Sequence, residues 1–317
     1  MCTKVKHQKE IPIVFAIDEN YAPYLCVTLQ SILDNASRKN FYKIHILHHN
    51  LRQEDKEIID RFQKSNCSIT YIDVKNQLMQ LGDALPLRDY FTKTTYYRLF
   101  TQTLCPQYDK ILYLDSDLVA LKDVAELYDH DLGDNLVGAV VEDVMQNFDV
   151  FGSFVEKSLG IRREKYFNAG VLLMNLKKFR EEDILMQFYG MLKKYTFPVT
   201  QDQDYLNVLC KDKVLYIDSV WNRAPIPGTE IAYNELKLVH YKMSWKPWKY
   251  PDVMYGEHFW HYAGKVPYYS FLLEAANNYT EEKRRQDIIS FNLLVELAIK
   301  ESDDANNYFN LVTRQAV

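Results

Sequence analysis

The chain has 317 residues, of which 47% are hydrophobic and 14% aromatic, so it can bury a large core and is not disordered along its length. At roughly 100–200 residues per domain, this length allows one large domain or two modest ones. Lysine and arginine together number 38 against 43 aspartates and glutamates, which gives a formal net charge of −5. A chain with this acidic balance lacks the positive field that nucleic-acid phosphates require, and we expect no nucleic-acid partner.

The sequence shows no pattern typical of export or membrane insertion. No apolar run approaches the ~20 residues needed to cross a bilayer, and residues 1–10 lack the apolar core of a signal peptide. The cysteines are odd in number and never spaced as CxxC, which argues against disulfides and a thiolate zinc site: Cys2, Cys26, Cys67, Cys105 and Cys210. These features predict a cytoplasmic protein. An aromatic, basic stretch at 245–269 is compatible with weak peripheral contact with the inner face of the membrane. The sequence does not determine the oligomeric state.

Short apolar runs alternate with amphipathic segments for most of the chain. In chain order, the predicted strands are residues 11–17, 42–47, 68–74, 110–114, 137–141, 170–174, 214–217 and 237–241. Helical periodicity predicts a helix ending near residue 35 and further helices at 51–62, 94–104, 176–195 and 202–210. Strands separated by helices of this length indicate βαβ crossovers and a mainly parallel, doubly wound α/β sheet.

The character of the chain changes after residue 241. An aromatic stretch interrupted by prolines runs to residue 269, and helices are predicted at 270–277 and 281–300. We therefore expect a catalytic-type domain at residues 1–265 and a helical appendage at 266–317. In doubly wound sheets, ligands bind beyond the carboxyl ends of the strands, so polar residues that follow strands are the candidates for a site.

The sharpest such feature is Asp115-Ser116-Asp117, which follows the apolar strand at 110–114 directly. Positions i and i+2 at the end of a strand project to the same side, so the two carboxylates can converge on one point. Carboxylate pairs of this kind suit Mg²⁺ or Mn²⁺. The alternative is a solvated turn or a helix cap, because DxD alone is common.

His240 stands at the end of another apolar strand, so a third metal ligand from a distant part of the chain is plausible. Imidazole tolerates Mn²⁺ well. Taken alone, a single histidine is more often a packed or surface residue. We interpret His45 and His48 as structural, because that spacing on a strand does not bring both side chains to one ion.

Three further segments carry candidate residues. Asn168-Ala169-Gly170 precedes an apolar run, and small residues there would let a ligand approach the backbone closely, unless the segment is simply a turn. Asp202 begins a helix and could be its N-cap, which would stabilise by ~1 kcal/mol without any chemistry. Pro247 restricts Lys246 to extended conformations, which could hold its ammonium over a phosphate.

The order of these motifs along one chain resembles glycosyltransferase family 8, the retaining, metal-dependent galactosyl- and glucosyltransferases of bacterial, lipopolysaccharide-type glycan assembly. The matching stretches lie within residues 11–248 and are IVFAIDENY at 13–21, TYYRL at 95–99, LYLDSD at 112–117, YFNAGVLLMNL at 166–176, QDQD at 201–204, HY at 240–241 and KPW at 246–248. The resemblance implies a Rossmann-like GT-A fold, with a mainly parallel mixed sheet flanked by helices, to which the sequence pattern adds the C-terminal helical appendage.

The resemblance also implies roles for individual positions. Mn²⁺, with Mg²⁺ as the alternative, would be held by Asp115, Asp117 and His240. The UDP-sugar would be contacted by Ala16, Asp18, Asn20, Arg98, Asp115, Ser116, Asp117, Ala169 and Lys246. The catalytic residues around the donor hexose would be Asp202, Gln203, Asn168 and Asp143, the last of these contacting the sugar or the acceptor.

The implied reaction moves galactose or glucose from UDP-galactose or UDP-glucose to a glycan, glycolipid or glycoprotein and gives an α-linkage. Retention requires either a double displacement, with Asp202 as the placed nucleophile, or departure and attack on one face of the sugar, and we favour the second route. One position departs from the family pattern, since Met243 stands where a glycine often follows the metal histidine and approaches the phosphate.

Other interpretations of the same residues stay open. A catalytically silent nucleotide-sugar-binding subunit of a glycosyltransferase complex would retain the same donor-site residues. A haloacid-dehalogenase phosphatase would use Asp115 as its nucleophile, but that motif usually lies on the first strand and here several strands precede it. A self-glycosylating role is suggested by 24 tyrosines, which core packing explains equally well.

Overall fold

The computed structural model describes residues 8–81 and 93–315. The strands in these residues are β1 (Lys9–Ile17), β2 (Asn40–His48), β3 (Cys67–Asp73), β4 (Lys110–Leu114), β5 (Leu118–Ala120), β6 (Val137–Val141), β7 (Phe167–Asn175), β8 (Val214–Tyr216) and β9 (Leu238–His240). The α-helices are α1 (Ala22–Asp34), α2 (Gln53–Ile59), α3 (Lys75–Leu81), α4 (Thr101–Leu104), α5 (Ala125–Tyr128), α6 (Asp143–Asn147), α7 (Asp149–Ser158), α8 (Leu176–Glu181), α9 (Ile184–Leu192), α10 (Asp202–Leu209), α11 (Gly256–Ala263), α12 (Tyr269–Asn277), α13 (Glu281–Asp303) and α14 (Tyr308–Gln315). Short 3₁₀ helices occur at Asp60–Phe62, Lys93–Phe100, Arg163–Lys165 and Ser219–Trp221.

Seven strands form one sheet in the order β3-β2-β1-β4-β7-β6-β8. The pairs β1–β2, β2–β3, β1–β4 and β6–β8 are parallel, whereas β7 is antiparallel to both of its neighbours. β5 and β9 form a separate antiparallel pair, with Leu118 opposite His240. This mainly parallel mixed sheet with flanking helices confirms the predicted fold class.

β1 shows why the sheet lies at the centre of the molecule. Residues 11–17 of this strand are buried, because helices cover both faces of the sheet. Ile11, Ile13, Phe15 and Ile17 pack into one apolar cluster, and Val14 packs into the cluster on the other face. Full burial of each such side chain contributes about 1.5–3 kcal/mol.

Several predicted boundaries differ from the structure for local reasons. The helix predicted at 176–195 is divided into α8 and α9, because Asp183 adopts a left-handed backbone with φ of 52°. The segment predicted as one helix at 94–104 is mostly 3₁₀ and ends in the single turn α4. β7 begins at Phe167, so Asn168 and Ala169 lie within a strand rather than in a turn.

The C-terminal helices pack against the rest of the chain. α13 lies on α7, and Phe151 meets Phe291 edge to face with ring centroids 6.0 Å apart. The buried Asp287 carboxylate of α13 accepts hydrogen bonds from Lys249, Tyr250 and Tyr279. The predicted division between residues 265 and 266 remains a prediction.

The remaining expectations concern cysteines and membranes. Cys26, Cys67, Cys105 and Cys210 are free and buried, as expected for a chain without disulfides, and Cys2 lies outside the described residues. Across residues 8–81 and 93–315, no helix combines the length and the apolar character that a membrane crossing requires.

Candidate active site

The carboxyl ends of β1 and β4 meet the start of β7 along one edge of the sheet. Leu114 at the end of β4 lies opposite Val171, and the Asp115 amide donates to the Gly170 carbonyl at 2.7 Å. The residues that follow β4 therefore face the residues that open β7. A cavity of about 270 Å³ lies at this edge, where the strand-end rule predicts a ligand site.

Most of the predicted site residues line this cavity, although they come from distant parts of the chain. Those in its wall are Ala16, Asp18, Arg98, Asp115, Ser116, Asp117, Asn168, Ala169, Asp202, Gln203, His240 and Lys246. Two predicted residues lie outside the wall. Asn20 is exposed, and its backbone amide donates to Asp18 Oδ1 at 2.9 Å. Asp143 is buried behind the wall.

Asp115, Asp117 and His240 converge. Among the described residues, they form the one group of three or more histidine, cysteine, aspartate or glutamate side chains that could hold a metal ion, with one ligand atom of each within 4.8 Å of the others. His240 Nε2 lies 3.1 Å from Asp117 Oδ1 and 3.7 Å from Asp115 Oδ2. The β5–β9 pairing brings His240 to the aspartates, because it places this residue opposite Leu118.

Gly170 leaves room for this cluster. A Cβ added at residue 170 would lie 2.3 Å from the His240 ring and 2.5 Å from Asp115 Oδ2. Both distances are far below van der Waals contact, so any side chain here would displace two of the three ligands. The absence of a side chain at this position is therefore part of the site.

Arg98 connects the aspartate cluster with the start of α10. Its guanidinium donates to the Ala169 carbonyl, to Asp115 Oδ1 at 3.2 Å and, through Nε, to the Thr95 carbonyl at 2.8 Å. Nε also lies 3.0 Å from Asp202 Oδ2, which is a charge contact rather than a hydrogen bond because the Nε proton points to Thr95.

Tyr113 completes the fixation of Asp115. Its hydroxyl donates to Asp115 Oδ1 at 2.8 Å, and burial raises the pKa of Tyr113, so the hydroxyl remains a donor. The Arg98 guanidinium stacks over the Tyr113 ring, 4.5 Å from its centroid. Asp115 Oδ1 is thus held by two donors, which leaves Oδ2 directed at His240.

Lys246 adds a positive charge to the same cluster. Its ammonium donates to Asp117 Oδ2, and both side chains are buried. Burial opposes the ionisation of Asp117, but Lys246 and His240 outweigh it and lower the pKa of this carboxyl. Asp117 is therefore a stable carboxylate, as a metal ligand must be.

Met243 adopts a backbone conformation that favours glycine. Its φ of 53° lies in the left-handed region, which glycine adopts readily and other residues at a cost of roughly 1–2 kcal/mol. Its side chain lines the cavity and packs against the apolar cluster that contains Val14. The loop after His240 thus adopts this conformation with a side chain at the position where the family pattern often has glycine.

Asp202 and Gln203 open α10 at the cavity wall. Burial raises the pKa of Asp202 to about 6, although Arg98 acts in the opposite direction. Gln203 Oε1 accepts from the Ala169 amide at 2.9 Å, so this side chain is tied to the opening of β7. Gln201, just before them, has φ of 53° and ψ of −115°, a strained backbone that aims Asp202 at Arg98.

A buried ion pair borders the cavity and was missed from the sequence. Glu142 Oε1 accepts from Lys242 Nζ at 2.6 Å, with side chains 5% and 8% exposed. Glu142 Oε2 accepts from Asn168 Nδ2 at 2.5 Å. Burial raises the pKa of Glu142, but Lys242 and these hydrogen bonds outweigh it, so the net shift is downward. Glu142, rather than the predicted neighbour Asp143, lines the cavity.

Asp143 has a different environment. Burial raises its pKa, and its Oδ2 has no hydrogen-bond partner. Glu142 is the N-cap of α6 and Asp143 is the first residue of that helix, and of the two only Glu142 lines the cavity. Asp143 alone was predicted from the sequence, whereas the structure places its neighbour Glu142 at the cavity.

Asn222, an amide next to the Asp115–Asp117–His240 cluster, was also not singled out from the sequence. His240 Nδ1 lies 2.9 Å from Asn222 Oδ1, and Asn222 Nδ2 donates to Asn168 Oδ1 at 2.8 Å. Asn168 Oδ1 also accepts from the Gly170 amide at 2.9 Å. No periodic pattern marks Asn222, because it lies in an irregular segment after the 3₁₀ helix Ser219–Trp221.

Comparisons with known proteins identify the family of the chain. The family described as Glycosyl transferase family 8 matches residues 12–252. A Haemophilus influenzae relative is 32% identical over 231 residues, which are 72% of this chain and 67% of the relative. The lipopolysaccharide 1,2-glucosyltransferase of Escherichia coli K12 is 28% identical over 282 residues, covering 83% of this chain and 77% of that enzyme.

The structure of the galactosyltransferase LgtC, determined with donor and acceptor sugar analogues, is also similar. It superposes with a TM-score of 0.66 at 27% sequence identity, over 81% of this chain and 96% of LgtC. The family match covers most of the chain, and the structural match covers 81% of it. The chain therefore belongs to glycosyl transferase family 8 and has the GT-A fold of that family's enzymes.

Proposed function

We propose that this protein transfers galactose or glucose from a UDP-sugar to a glycan, glycolipid or glycoprotein, with the help of Mn²⁺ or Mg²⁺ and with retention to an α-linkage. The observation that carries the proposal is the convergence of Asp115, Asp117 and His240 on the wall of the strand-end cavity. The names of two similar proteins, a glucosyltransferase and a galactosyltransferase, support a hexose without deciding between the two sugars.

The chemistry of the donor set fits a divalent ion. Two carboxylate oxygens and one imidazole nitrogen suit Mn²⁺ well and Mg²⁺ less well. Because residue 170 is glycine, no Cβ occupies the space beside the His240 ring and Asp115 Oδ2. Asp115 Oδ2, Asp117 Oδ1 and His240 Nε2 would be the ligands. A bound divalent ion would neutralise the charge that develops on UDP as the glycosidic bond breaks.

The nucleotide would be held by the end of β1, by the loop that follows β1 and by the loop that carries Lys246. Ala16, Asp18 and Asn20 would contact the uracil and ribose, and Ser116 and Ala169 border the same space. Lys246 would bind the diphosphate. Support for this role comes from its buried ammonium, which already lies against the Asp117 carboxylate and is held in place for a second anionic partner.

The donor hexose would lie among Arg98, Asn168, Asp202 and Gln203. The contacts of these residues favour the front-face route. The Asp202 carboxylate lies 3.0 Å from the Arg98 guanidinium, whose charge lowers its nucleophilicity, and Gln203 Oε1 already accepts from the Ala169 amide. The acceptor hydroxyl would then lose its proton to the departing phosphate, and these side chains would orient the sugar.

The route can be tested with Asp202→Asn and a slow donor analogue. Front-face transfer predicts reduced turnover and no covalent sugar on the protein by intact mass spectrometry. A sugar–enzyme adduct that is trapped on any variant would establish a double displacement instead.

Asp143 is proposed as a weaker contact with sugar or acceptor, and Asp143→Asn should reduce turnover less than Asp202→Asn.

The proposed function is tested by UDP release from a panel of UDP-sugars, with Mn²⁺, Mg²⁺ or a chelator, followed by an array of acceptors. We expect release from UDP-galactose or UDP-glucose that the chelator abolishes. His240→Asn should lose this release, whereas His261→Asn, at an exposed histidine of α11 away from the cavity, should keep it.

The same assay separates the two main alternatives. A silent binding subunit would bind a UDP-sugar but would neither hydrolyse nor transfer it, whichever metal ion is added. Metal-independent release, or hydrolysis of p-nitrophenyl phosphate, would contradict the proposal as a whole.

A further inference from the structure

We propose that Asn222 is a positioning residue that sets the tautomer of His240, so that Nε2 offers its lone pair to the metal ion. This inference rests on the proposed function, because it assumes that Asp115, Asp117 and His240 bind a divalent ion. Asn222 is 1% exposed and touches the side of His240 away from the aspartates.

The backbone holds Asn222 beside His240. The next residue, Arg223, pairs with β9: its amide donates to the Leu238 carbonyl, and its carbonyl accepts from the His240 amide, both at 2.9 Å. The side chain of Asn222 therefore cannot move far from the imidazole without breaking this pairing.

The orientation of two amide side chains follows from one backbone group. The Gly170 N–H can only donate, and it lies 2.9 Å from one terminal atom of Asn168, which must therefore be the oxygen. Asn222 faces that same oxygen at 2.8 Å, so it must present its NH₂ group there. The oxygen of Asn222 is then left to face His240 Nδ1 at 2.9 Å.

The tautomer of His240 is the consequence. Opposite a carbonyl-type oxygen, Nδ1 must carry a proton and donate, and in the neutral imidazole Nε2 then has a lone pair. Nε2 is the atom that faces Asp117 Oδ1 and Asp115 Oδ2, at 3.1 and 3.7 Å. Three lone pairs directed at one region are what a divalent ion requires.

The opposite tautomer would conflict with the same contacts. A proton on Nε2 would be donated to Asp117 and would remove the third metal ligand, and Nδ1 would need a donor. Rotating the Asn222 amide would supply one, but it would set two oxygens 2.8 Å apart at Asn168. The Gly170 amide prevents Asn168 from rotating in compensation.

The test uses two substitutions at residue 222 and one control, with Mn²⁺ binding measured by calorimetry on the full chain in the absence of nucleotide. Asn222→Leu should weaken Mn²⁺ binding by about 10–100-fold. Asn222→Asp can still accept from Nδ1 and should bind Mn²⁺ within about threefold of the unsubstituted protein, although its carboxylate opposes Asn168 Oδ1 and lowers the melting temperature.

The control is Asn207→Leu. Asn207 is 2% exposed and bonds the backbone of Phe167, so its loss removes a comparable buried amide without touching His240. We expect Asn207→Leu to lower the melting temperature and to leave Mn²⁺ affinity unchanged. If affinity instead follows melting temperature across the three variants, Asn222 has only a structural role and the proposal is wrong.

A second measurement detects the tautomer directly. Nitrogen-15 spectra of histidine-labelled protein, assigned with His240→Asn, should show a protonated Nδ1 in the unsubstituted protein and in Asn222→Asp. In metal-free Asn222→Leu at alkaline pH, the proton should move to Nε2. A bare Nδ1 in the unsubstituted protein would overturn the proposal. Failure of that protein to bind Mn²⁺ would instead refute the metal site, and the nitrogen spectra would still decide the tautomer.

Discussion

Removal of the cation from the buried Glu142–Lys242 pair is the perturbation whose size the structure determines most directly. Lys242→Met retains the length of the side chain and leaves Glu142 buried, 2.6 Å from where the ammonium was. Breaking such a pair by removing one partner typically costs about 3–5 kcal/mol. The carboxylate can limit this cost by binding a proton.

That limit depends on pH and can be worked out. Protonating a carboxyl with an ordinary pKa of 4.5 costs about 1.4 kcal/mol for each pH unit above that value. In Lys242→Met this protonation should therefore cost no more than about 3.4 kcal/mol near pH 7 and about 1.4 kcal/mol near pH 5.5, in addition to the stabilisation that the intact pair provides. The destabilisation should shrink as the pH falls.

The sign of the pH dependence reverses between the two proteins. In the unsubstituted chain the pKa of Glu142 is lowered, so its contribution to stability is present above about pH 4.5 and is lost as the pH falls through the folded-state pKa. In Lys242→Met burial acts without the cation and raises that pKa. Stability then decreases as the pH rises above about 4.5.

The assay is urea unfolding at about pH 5.5, 7 and 8, followed by tryptophan fluorescence. The double variant Glu142→Gln/Lys242→Met, which carries no buried charge, should recover most of the loss. Lys265→Met is the control, because Lys265 and Asp34 form a more exposed pair, 41% and 30% accessible, that should contribute less than about 1 kcal/mol. A cost below about 1 kcal/mol for Lys242→Met at about pH 7, or one that does not change with pH, would refute the reasoning.

The other expectations concern a carboxylate, a glycine and a methionine at the site. Asp202→Asn should raise the free energy of unfolding by up to about 3 kcal/mol near pH 8, because burial raises the pKa of Asp202 to about 6. The penalty of burying the charged carboxylate is absent below about pH 4 and grows as the pH rises from there to about 6. Urea titrations that show the same gain at every pH would contradict this. Gly170→Ala should weaken Mn²⁺ binding about tenfold or more in calorimetry, since its Cβ would overlap two ligands. Gly190→Ala, a helical position with open space, should bind normally and gain up to about 1 kcal/mol of stability, and equal binding by both variants would show that the glycine has no role at the metal site. Met243→Val should be about 1–2 kcal/mol less stable than Met243→Gly in thermal unfolding, because a β-branched side chain tolerates φ of 53° worst, and equal stability would mean that the loop relaxes.

The sequence alone determined the central sheet and the position of the aspartate pair. The runs at 110–114 and 137–141 were predicted with the boundaries that β4 and β6 have. A buried parallel strand is an unbroken apolar run, and this property is local. Because the strand at 110–114 ends directly at Asp115, the local pattern also placed the carboxylates at the sheet edge where ligands bind.

Tertiary structure decided which distant groups meet these carboxylates and which way they face. His240 lies 123 residues from Asp117 and reaches it through β5, a strand of three residues that is too short for any periodicity to predict. Lys242 and Glu142 are 100 residues apart. Local patterns describe neighbours along the chain, whereas these contacts arise from strand pairing and from the pairing of buried polar groups. The energies that select them exist only once water has been excluded from the site.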